Sequence, residues 1–270
     1  MELILTNDLV KRIEFSDFEV MLGRMNAIRS RCGNPYQVEI KKYGQSTALS
    51  ARGLPNDFNK LWCFEPSDLP FLDQIVEFFD SRNPDFKIDL IPTSISEEMT
   101  LKLNQKGFFQ EGFHTALYTT TPTLLETEMS SVKILEVRDV EVQLFSETFC
   151  KSLELPPTIA ENGESFSYLQ QDPSWSLYLG FIGDKPAGFS MMYIANDGVA
   201  CLAMAGTIPE YRGNGLQQAM LDRRLKDAKT KGCDLIVAQC EYGTTSFRNL
   251  QRSGFRIAFT KSVWKRQILA

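Results

Sequence analysis

The residues of this 270-residue chain best suited to chemistry fall in one short stretch, Thr207-Ile-Pro-Glu-Tyr-Arg-Gly-Asn-Gly-Leu-Gln217. Gly213 and Gly215 lie there between a predicted strand and the start of a predicted helix. Glycine lets the backbone turn sharply and come close to a ligand. Successive amide N–H groups can then converge on one anion, aided by the helix dipole. Arg212 adds a planar, permanently charged fork that matches phosphate oxygens. Together these make a pyrophosphate site. A P-loop would need a lysine and a hydroxyl after its second glycine, and neither follows Gly215. The dinucleotide fingerprint would need a third glycine where Gln218 stands, in a parallel βαβ unit, whereas the strands ahead of this loop read as antiparallel.

Other reactive side chains form no such group. The six cysteines are Cys32, Cys63, Cys150, Cys201, Cys233 and Cys240. They contain no C-x-x-C pair and several sit in apolar runs, which suits buried free thiols rather than zinc ligands or a disulfide framework. No metal is expected. His114 is the sole histidine, and nothing beside it builds a nucleophile–histidine constellation. The net charge of -5 argues against nucleic-acid or anionic-membrane partners, which require a basic surface. Residues 1–10 carry Glu2 and Asp8 and lack a basic segment followed by a long apolar core. No signal peptide or membrane span is expected, and the expected location is cytoplasmic.

The elements that must position the loop can be read from periodicity. Leu177, Leu179 and Phe181 alternate, Gly183-Asp184 turns, and 187–193 follows. Asn196-Asp197-Gly198 is a hairpin signal of type I′, and 199–207 is a mostly apolar strand, giving a three-stranded meander. After the loop, Leu216, Met220, Leu221, Leu225 and Ala228 mark the buried face of a helix that Gly232 ends. A strand (234–239), a short helix (246–253), Gly254-Phe255 and a last strand to Trp264 complete the order. Ahead of the meander lie a strand at 133–137 and helices at 140–153 and near 159–171. In the first half, Ser67 or Asp68 begins a helix bearing Phe71, Leu72, Ile75, Val76 and Phe79. Ser94 with Glu97 is a capping-box signature for a second helix, ended by Gly107. Leu103-Asn-Gln-Lys-Gly107-Phe108 is similar to Leu250-Gln-Arg-Ser-Gly254-Phe255, a short repeat that suggests duplication.

Arg212-Gly-Asn-Gly215-Leu-Gln217 resembles the signature of the GNAT superfamily of acyl-CoA-dependent N-acyltransferases, [R/Q]-x-x-G-x-[G/A]. Gln217 departs from it at the last position. The order helix, strand, short helix, Gly-Phe, strand also matches, and the resemblance spans 132–264. It implies acetyl-CoA as co-substrate. The backbone of Thr207 and Ile208 would pair with the pantetheine arm, Arg212, Gly213, Asn214, Gly215, Leu216 and Gln217 would cradle the pyrophosphate, and Ser246 and Asn249 would approach from the second helix. The Ile208 amide would also stabilise charge on the thioester carbonyl. The family's tyrosine acid falls at Leu250 here, so Tyr242 and Tyr193 are the substitutes considered. Glu241 is the best-placed carboxylate for a base, Glu210 is expected to face solvent, and Cys240 is expected to be a structural thiol.

The first half resembles a degenerate GNAT-like domain. Ser50–Asn59 (SARGLPNDFN) lacks a second glycine at the needed spacing and makes a poor phosphate loop. The expected organisation is two tandem GNAT-like α+β domains, each a mixed, mainly antiparallel sheet flanked by helices: 1–120, structural or substrate-shaping; a Thr/Ser/Glu-rich linker at 121–131; and 132–270, catalytic. A last strand of one half packing across the other stays open. The expected function is transfer of an acetyl group from acetyl-CoA to a primary amine of a small molecule or protein, by a monomer or homodimer. The alternative is a non-catalytic acyl-CoA sensor or scaffold.

Overall fold

The computed structural model describes residues 4–120, 122, 132–156 and 164–267. The expected linker at 121–131 lies outside the described residues apart from Pro122. Contacts divide the chain into two compact units that are not contiguous in sequence. The first contains Met1–Ala116, Cys240–Thr244 and Ile257–Ala270, and the second Leu117–Gln239 and Thr245–Arg256.

The first unit is built from α1 (Asn7–Arg29), β1 (Glu39–Tyr43), β2 (Ser46–Ser50), β3 (Lys60–Trp62), α2 (Leu72–Asp80), β4 (Lys87–Leu90), α3 (Glu97–Gln105) and most of β5 (Phe108–Thr119). Its sheet runs β1-β2-β3-β4-β11-β5, where β11 is the chain's last strand (Arg256–Arg266). β11 joins by pairing antiparallel with β4, Ser262 opposite Leu90 and Lys265 opposite Lys87. β3 and β4 are parallel, whereas β1 with β2, β2 with β3 and β4 with β11 are antiparallel. Its core is rich in stacked aromatics: Phe79 lies parallel to Phe86 at 3.9 Å, and Phe86 meets Phe108 edge-on at 5.4 Å. Such rings remove large apolar areas from water. α3 is capped by Ser96, whose hydroxyl accepts from the Met99 N–H at 3.2 Å, rather than by Ser94, which is buried instead. Gly107 ends the region with φ +81°, as its place after the helix requires.

The second unit holds β6 (Val132–Glu136), α4 (Val142–Ser152), α5 (Glu164–Gln171), β7 (Trp175–Ile182), β8 (Lys185–Ile194), β9 (Ala200–Thr207), α6 (Leu216–Thr230), all but the last residue of β10 (Ile236–Cys240), and α7 (Thr245–Arg252). The strand order is β10-β9-β8-β7-β6. β6 to β9 form the antiparallel ladder, and β10 adds to β9 in parallel. All five residues predicted for the inner stripe of α6 are buried. The hairpin after β8 differs from expectation. Gly198 has φ +85°, but Asp197 is not left-handed. The Gly198 N–H donates to Ala195 O at 2.9 Å, and the Ala195 N–H donates to Val199 O at 2.8 Å. The turn is centred on Asn196-Asp197 with Gly198 as the left-handed residue after it, so type I′ geometry is not used.

Candidate functional site

β9 and β10 pair in parallel from Ala200–Ile236 to Leu202–Ala238. Beyond that point a cavity of about 250 Å³ opens, with Leu202 to Ala205 on one strand, Ala238 and Gln239 on the other, and Ser246 and Asn249 of α7 at its side. A second cavity of about 630 Å³ reaches the N-terminus of α6, and Ala205, Gln217 and Asn249 line both.

Local sequence explains the loop between β9 and α6. Pro209 starts a single 3-10 turn. Gly213 and Gly215 then adopt φ +83° and +71°. A Cβ on Gly213 would meet nothing within 4 Å, so the backbone conformation, not crowding, demands glycine there. Gly215 is the N-cap of α6 and no side chain caps that end, which leaves the first-turn amides open to a ligand. The Asn214 amide donates to Tyr211 O at 3.1 Å and pins the turn from within. Leu216 is buried against Ala187 and Met220 and anchors the helix start.

Arg212 stands at this end with its side chain 58% exposed. Its Nε donates to Thr207 O at 3.3 Å and its Nη2 to Glu154 Oε1 at 3.3 Å. Glu154 has φ +55°, uncommon for a residue other than glycine.

Of the residues the sequence assigned to cofactor binding, Thr207, Arg212, Gly213, Gly215, Leu216 and Gln217 line the larger cavity. Asn249 lines both and Ser246 the smaller. Gln217 takes the place of the usual small residue and accepts from the Asn249 amide at 3.3 Å, tying α6 to α7. Ile208 and Asn214 lie outside both linings. The Ile208 N–H donates to Ala187 O at 2.9 Å. The antiparallel ladder runs one residue past β9, so this amide is already used and does not serve a substrate carbonyl as expected.

The acid–base residues are less well gathered. Glu241 and Tyr242 follow β10, both exposed, Tyr242 by 72%, in the segment that groups with the first unit. Neither lines either cavity. Tyr193 is buried and packs on Trp175 at 5.0 Å. Leu250 is buried and lines the smaller cavity, an apolar side chain where the family has its phenol. Glu210 is exposed. Burial and then Glu241 push the Cys240 thiol up to about 11, which keeps it protonated and weakly nucleophilic at neutral pH. His114 lies in the first unit, its basicity lowered by burial and by Lys261.

Three residues were not foreseen. Gln239 lines the smaller cavity with neither polar side-chain atom hydrogen-bonded among the described residues. It is the one amide in the apolar run Leu235–Cys240, a signal present in the sequence. Arg224 is buried beside the same cavity and donates to Met220 O at 3.2 Å and Met191 O at 3.3 Å. Burial lowers it to about 10, still cationic at neutral pH. Its place four residues from both Met220 and Ala228 put it on the apolar stripe. Glu154 left no signal, because its pairing with Arg212 spans 58 positions. Among the described residues there is no metal-competent group of His, Cys, Asp and Glu, and no helix long and apolar enough to cross a membrane.

Residues 142–255 match the family model described as Acetyltransferase (GNAT) family. This stretch, most of it in the second unit, therefore matches a GNAT acetyltransferase domain. No curated protein matches the chain. Among solved structures it is similar to a GCN5-related N-acetyltransferase from Kribbella flavida (15% identity, 94% of this chain and 96% of that one, TM-score 0.66). It is also similar to a GCN5-related N-acetyltransferase from Sphaerobacter thermophilus (14%, 85% and 84%, 0.58) and to a tandem GNAT protein from the clavulanic acid biosynthesis pathway (11%, 98% and 96%, 0.60). At these identities the likeness establishes the fold, a tandem GNAT-like architecture.

That fold locates the counterpart of the phosphate loop in the first unit. The GNAT domain has its loop after the first strand of its parallel pair. In the first unit the corresponding segment is Cys63–Phe71, after β3, and not Ser50–Asn59, which precedes β3. It contains Pro66 and Pro70 and no glycine. The buried Asp68 carboxylate accepts from Ser46 Oγ at 2.5 Å, the Gln45 N–H at 3.0 Å and the Glu65 N–H at 3.4 Å. A carboxylate and a capped 3-10 turn (Pro66–Phe71) stand ahead of α2 where the GNAT domain offers open amides.

Proposed function

We propose that the GNAT domain transfers an acyl group, acetyl as the first expectation, from acyl-CoA to a primary amine of a small molecule or protein. One observation carries this reading: the cavity at the left-handed Gly213/Gly215 loop, at an uncapped helix start, shares Ala205, Gln217 and Asn249 with the cavity in the opening between β9 and β10. Arg212 and the first amides of α6 would hold the pyrophosphate, and the unpartnered Gln239 amide matches the amide-bearing pantetheine arm. Acyl-CoA supplies a thioester. In the reaction an N–C bond forms and a C–S bond breaks, while the amine gives up a proton and the departing sulfur gains one.

An amine of pKa ~10.4 costs about 4–5 kcal/mol to deprotonate at pH 7. Holding both reactants in one cavity offsets several kcal/mol of the barrier. Glu241 is assigned the base and Tyr242 the acid, from their position after β10. Acetyl-CoA with a panel of primary amines, followed by release of free thiol, tests the reading. Turnover reduced at least about tenfold by Glu241→Gln and by Tyr242→Phe supports both roles. Turnover untouched by either refutes the roles and leaves the transfer reading. The buried Leu250 in place of a phenol favours a second reading, a non-catalytic acyl-CoA sensor. Saturable acetyl-CoA binding with no turnover on any amine would select it.

A further inference from the structure

The first unit has its own opening between parallel strands. β3 and β4 pair at Lys60–Lys87 and Leu61–Ile88. Past that point a cavity of about 590 Å³ lies between residues 63–65 and 89–91. The turn filled by Asp68 offers nothing to a pyrophosphate, so the cavity's chemistry must be read from its own walls. Glu14, Asp89 and Ser94 line it, at 4%, 4% and 3% exposure. Glu14 Oε2, Asp89 Oδ1 and Ser94 Oγ each lack a hydrogen-bond partner among the described residues. Buried polar atoms are rarely left so. Carboxylate oxygens only accept and a hydroxyl can accept, so the unmet demand is for hydrogen-bond donors.

Charge points the same way. Lys261 Nζ lies 2.8 Å from Asp17, 3.2 Å from Asp89 and 3.6 Å from Glu14, and Lys60 Nζ lies 2.8 Å from Asp89. Three carboxylates thus face two ammonium groups. Lys11 and Glu65, which also line the cavity, neutralise each other at 3.3 Å, and Arg12 there has an interaction of its own. Burial pushes Glu14 up to about 7 against the pull of Lys261 and Lys60, with Asp17 and Asp89 raising it further. Phe15, Phe64 and Ile91 give the cavity an apolar wall. Cys63 beside them has φ +55°, backbone strain of the kind that gathers at ligand sites.

We propose that this cavity binds a small organic ammonium ion on a short alkyl stem, its N–H donors facing Glu14, Asp89 and Ser94 and its stem against Phe15, Phe64 and Ile91. The bound cation holds Glu14 ionised, so binding near neutral pH releases part of a proton. The site does not depend on acyl transfer.

Calorimetric titration of the full chain near pH 7 with n-butylammonium chloride tests it, in two buffers of different ionisation enthalpy, with n-butanol and sodium butyrate in parallel. The expected result is saturable binding with a Kd of about 1 mM, suited to a ligand of so few heavy atoms. Its heat should depend on the buffer through the released proton, and the alcohol and the acid should bind at least about tenfold more weakly. Glu14→Gln should weaken binding about tenfold and remove the buffer dependence. Ser94→Ala, which leaves every charge in place, should weaken it about threefold. Thermal melts establish that both variants fold, and Ser94→Ala decides if Glu14→Gln does not. No saturable heat from the wild type, equal or tighter binding of the alcohol or the acid, or unchanged binding in folded variants would each overturn the proposal. Titrating the same sample with acetyl-CoA separates its failure from failure of the acyl-CoA reading.

Discussion

Removing the charge of Glu154 should tighten acyl-CoA binding. Glu154 holds the Arg212 guanidinium at 3.3 Å, with side chains 58% and 68% exposed for Arg212 and Glu154. A pair so exposed is worth only about 0.2–1 kcal/mol, which is what a pyrophosphate must displace. A second contribution comes from repulsion: a carboxylate roughly 4–5 Å from a phosphate oxygen in water costs about 1 kcal/mol. Glu154→Gln removes both, so the Kd should fall by roughly 5- to 30-fold. Isothermal titration with acetyl-CoA at low and high salt is the assay, because screening must shrink the gain as ionic strength rises. In an Arg212→Ala background only the repulsive part should remain, about fivefold. Unchanged or weaker binding in Glu154→Gln, or a gain indifferent to salt, would refute the assignment of Arg212 and its neighbour to the phosphate end.

Glu14 makes a pH prediction for stability. Its folded-state pKa is raised from 4.5 to about 7, so between those values the folded chain binds more protons than the unfolded one. Stability is then lost as pH rises through that window, by about 3 kcal/mol in all. The lowered basicity of His114 acts in the opposite sense below its ordinary value, so the wild type should be compared with Glu14→Gln: the variant gains relative stability from pH 5 to 8, and a constant difference would contradict the buried carboxyl. Asp68→Ala should destabilise the chain by about 2–4 kcal/mol, because it orphans Ser46 and the Gln45 N–H; a melting temperature within about 2 °C of wild type would contradict its capping role. Iodoacetamide near neutral pH should modify the exposed Cys32 well before Cys240, whose thiol lies at about 11; Cys240 labelling first, followed by peptide mapping, would show that burial does not protect it.

The second half was largely legible because its signals are local. The meander is set by alternation, the loop by two glycines that must be left-handed, and α6 by a largely apolar stripe. The hairpin type was misread because Asn-Asp-Gly serves two turn geometries, and only the register of β8 on β9 chooses between them. The first half hid more. α1 went unread because it buries Glu14, Ser16 and Glu19 along with Leu9 and Ile13, and the cation facing Glu14 and Asp17 is Lys261, some 240 positions away. The membership of β11 in the first unit's sheet rests on another long-range contact, its ladder with β4. At the site, the phosphate end was readable from spacing, while the used Ile208 amide and the Glu154–Arg212 pair depend on ladder length and on partners distant in sequence.

The most direct test of the central claim is calorimetric titration of the full chain with acetyl-CoA beside Arg212→Ala and Gly215→Trp, each variant confirmed folded by thermal melt. Gly215 sits at φ +71°, where a side chain is strained and would intrude on the helix start. The account predicts micromolar binding by the wild type, a loss of roughly 5- to 70-fold in Arg212→Ala and no detectable binding in Gly215→Trp. A folded wild type that binds no acetyl-CoA, or variants that bind it as the wild type does, would contradict it.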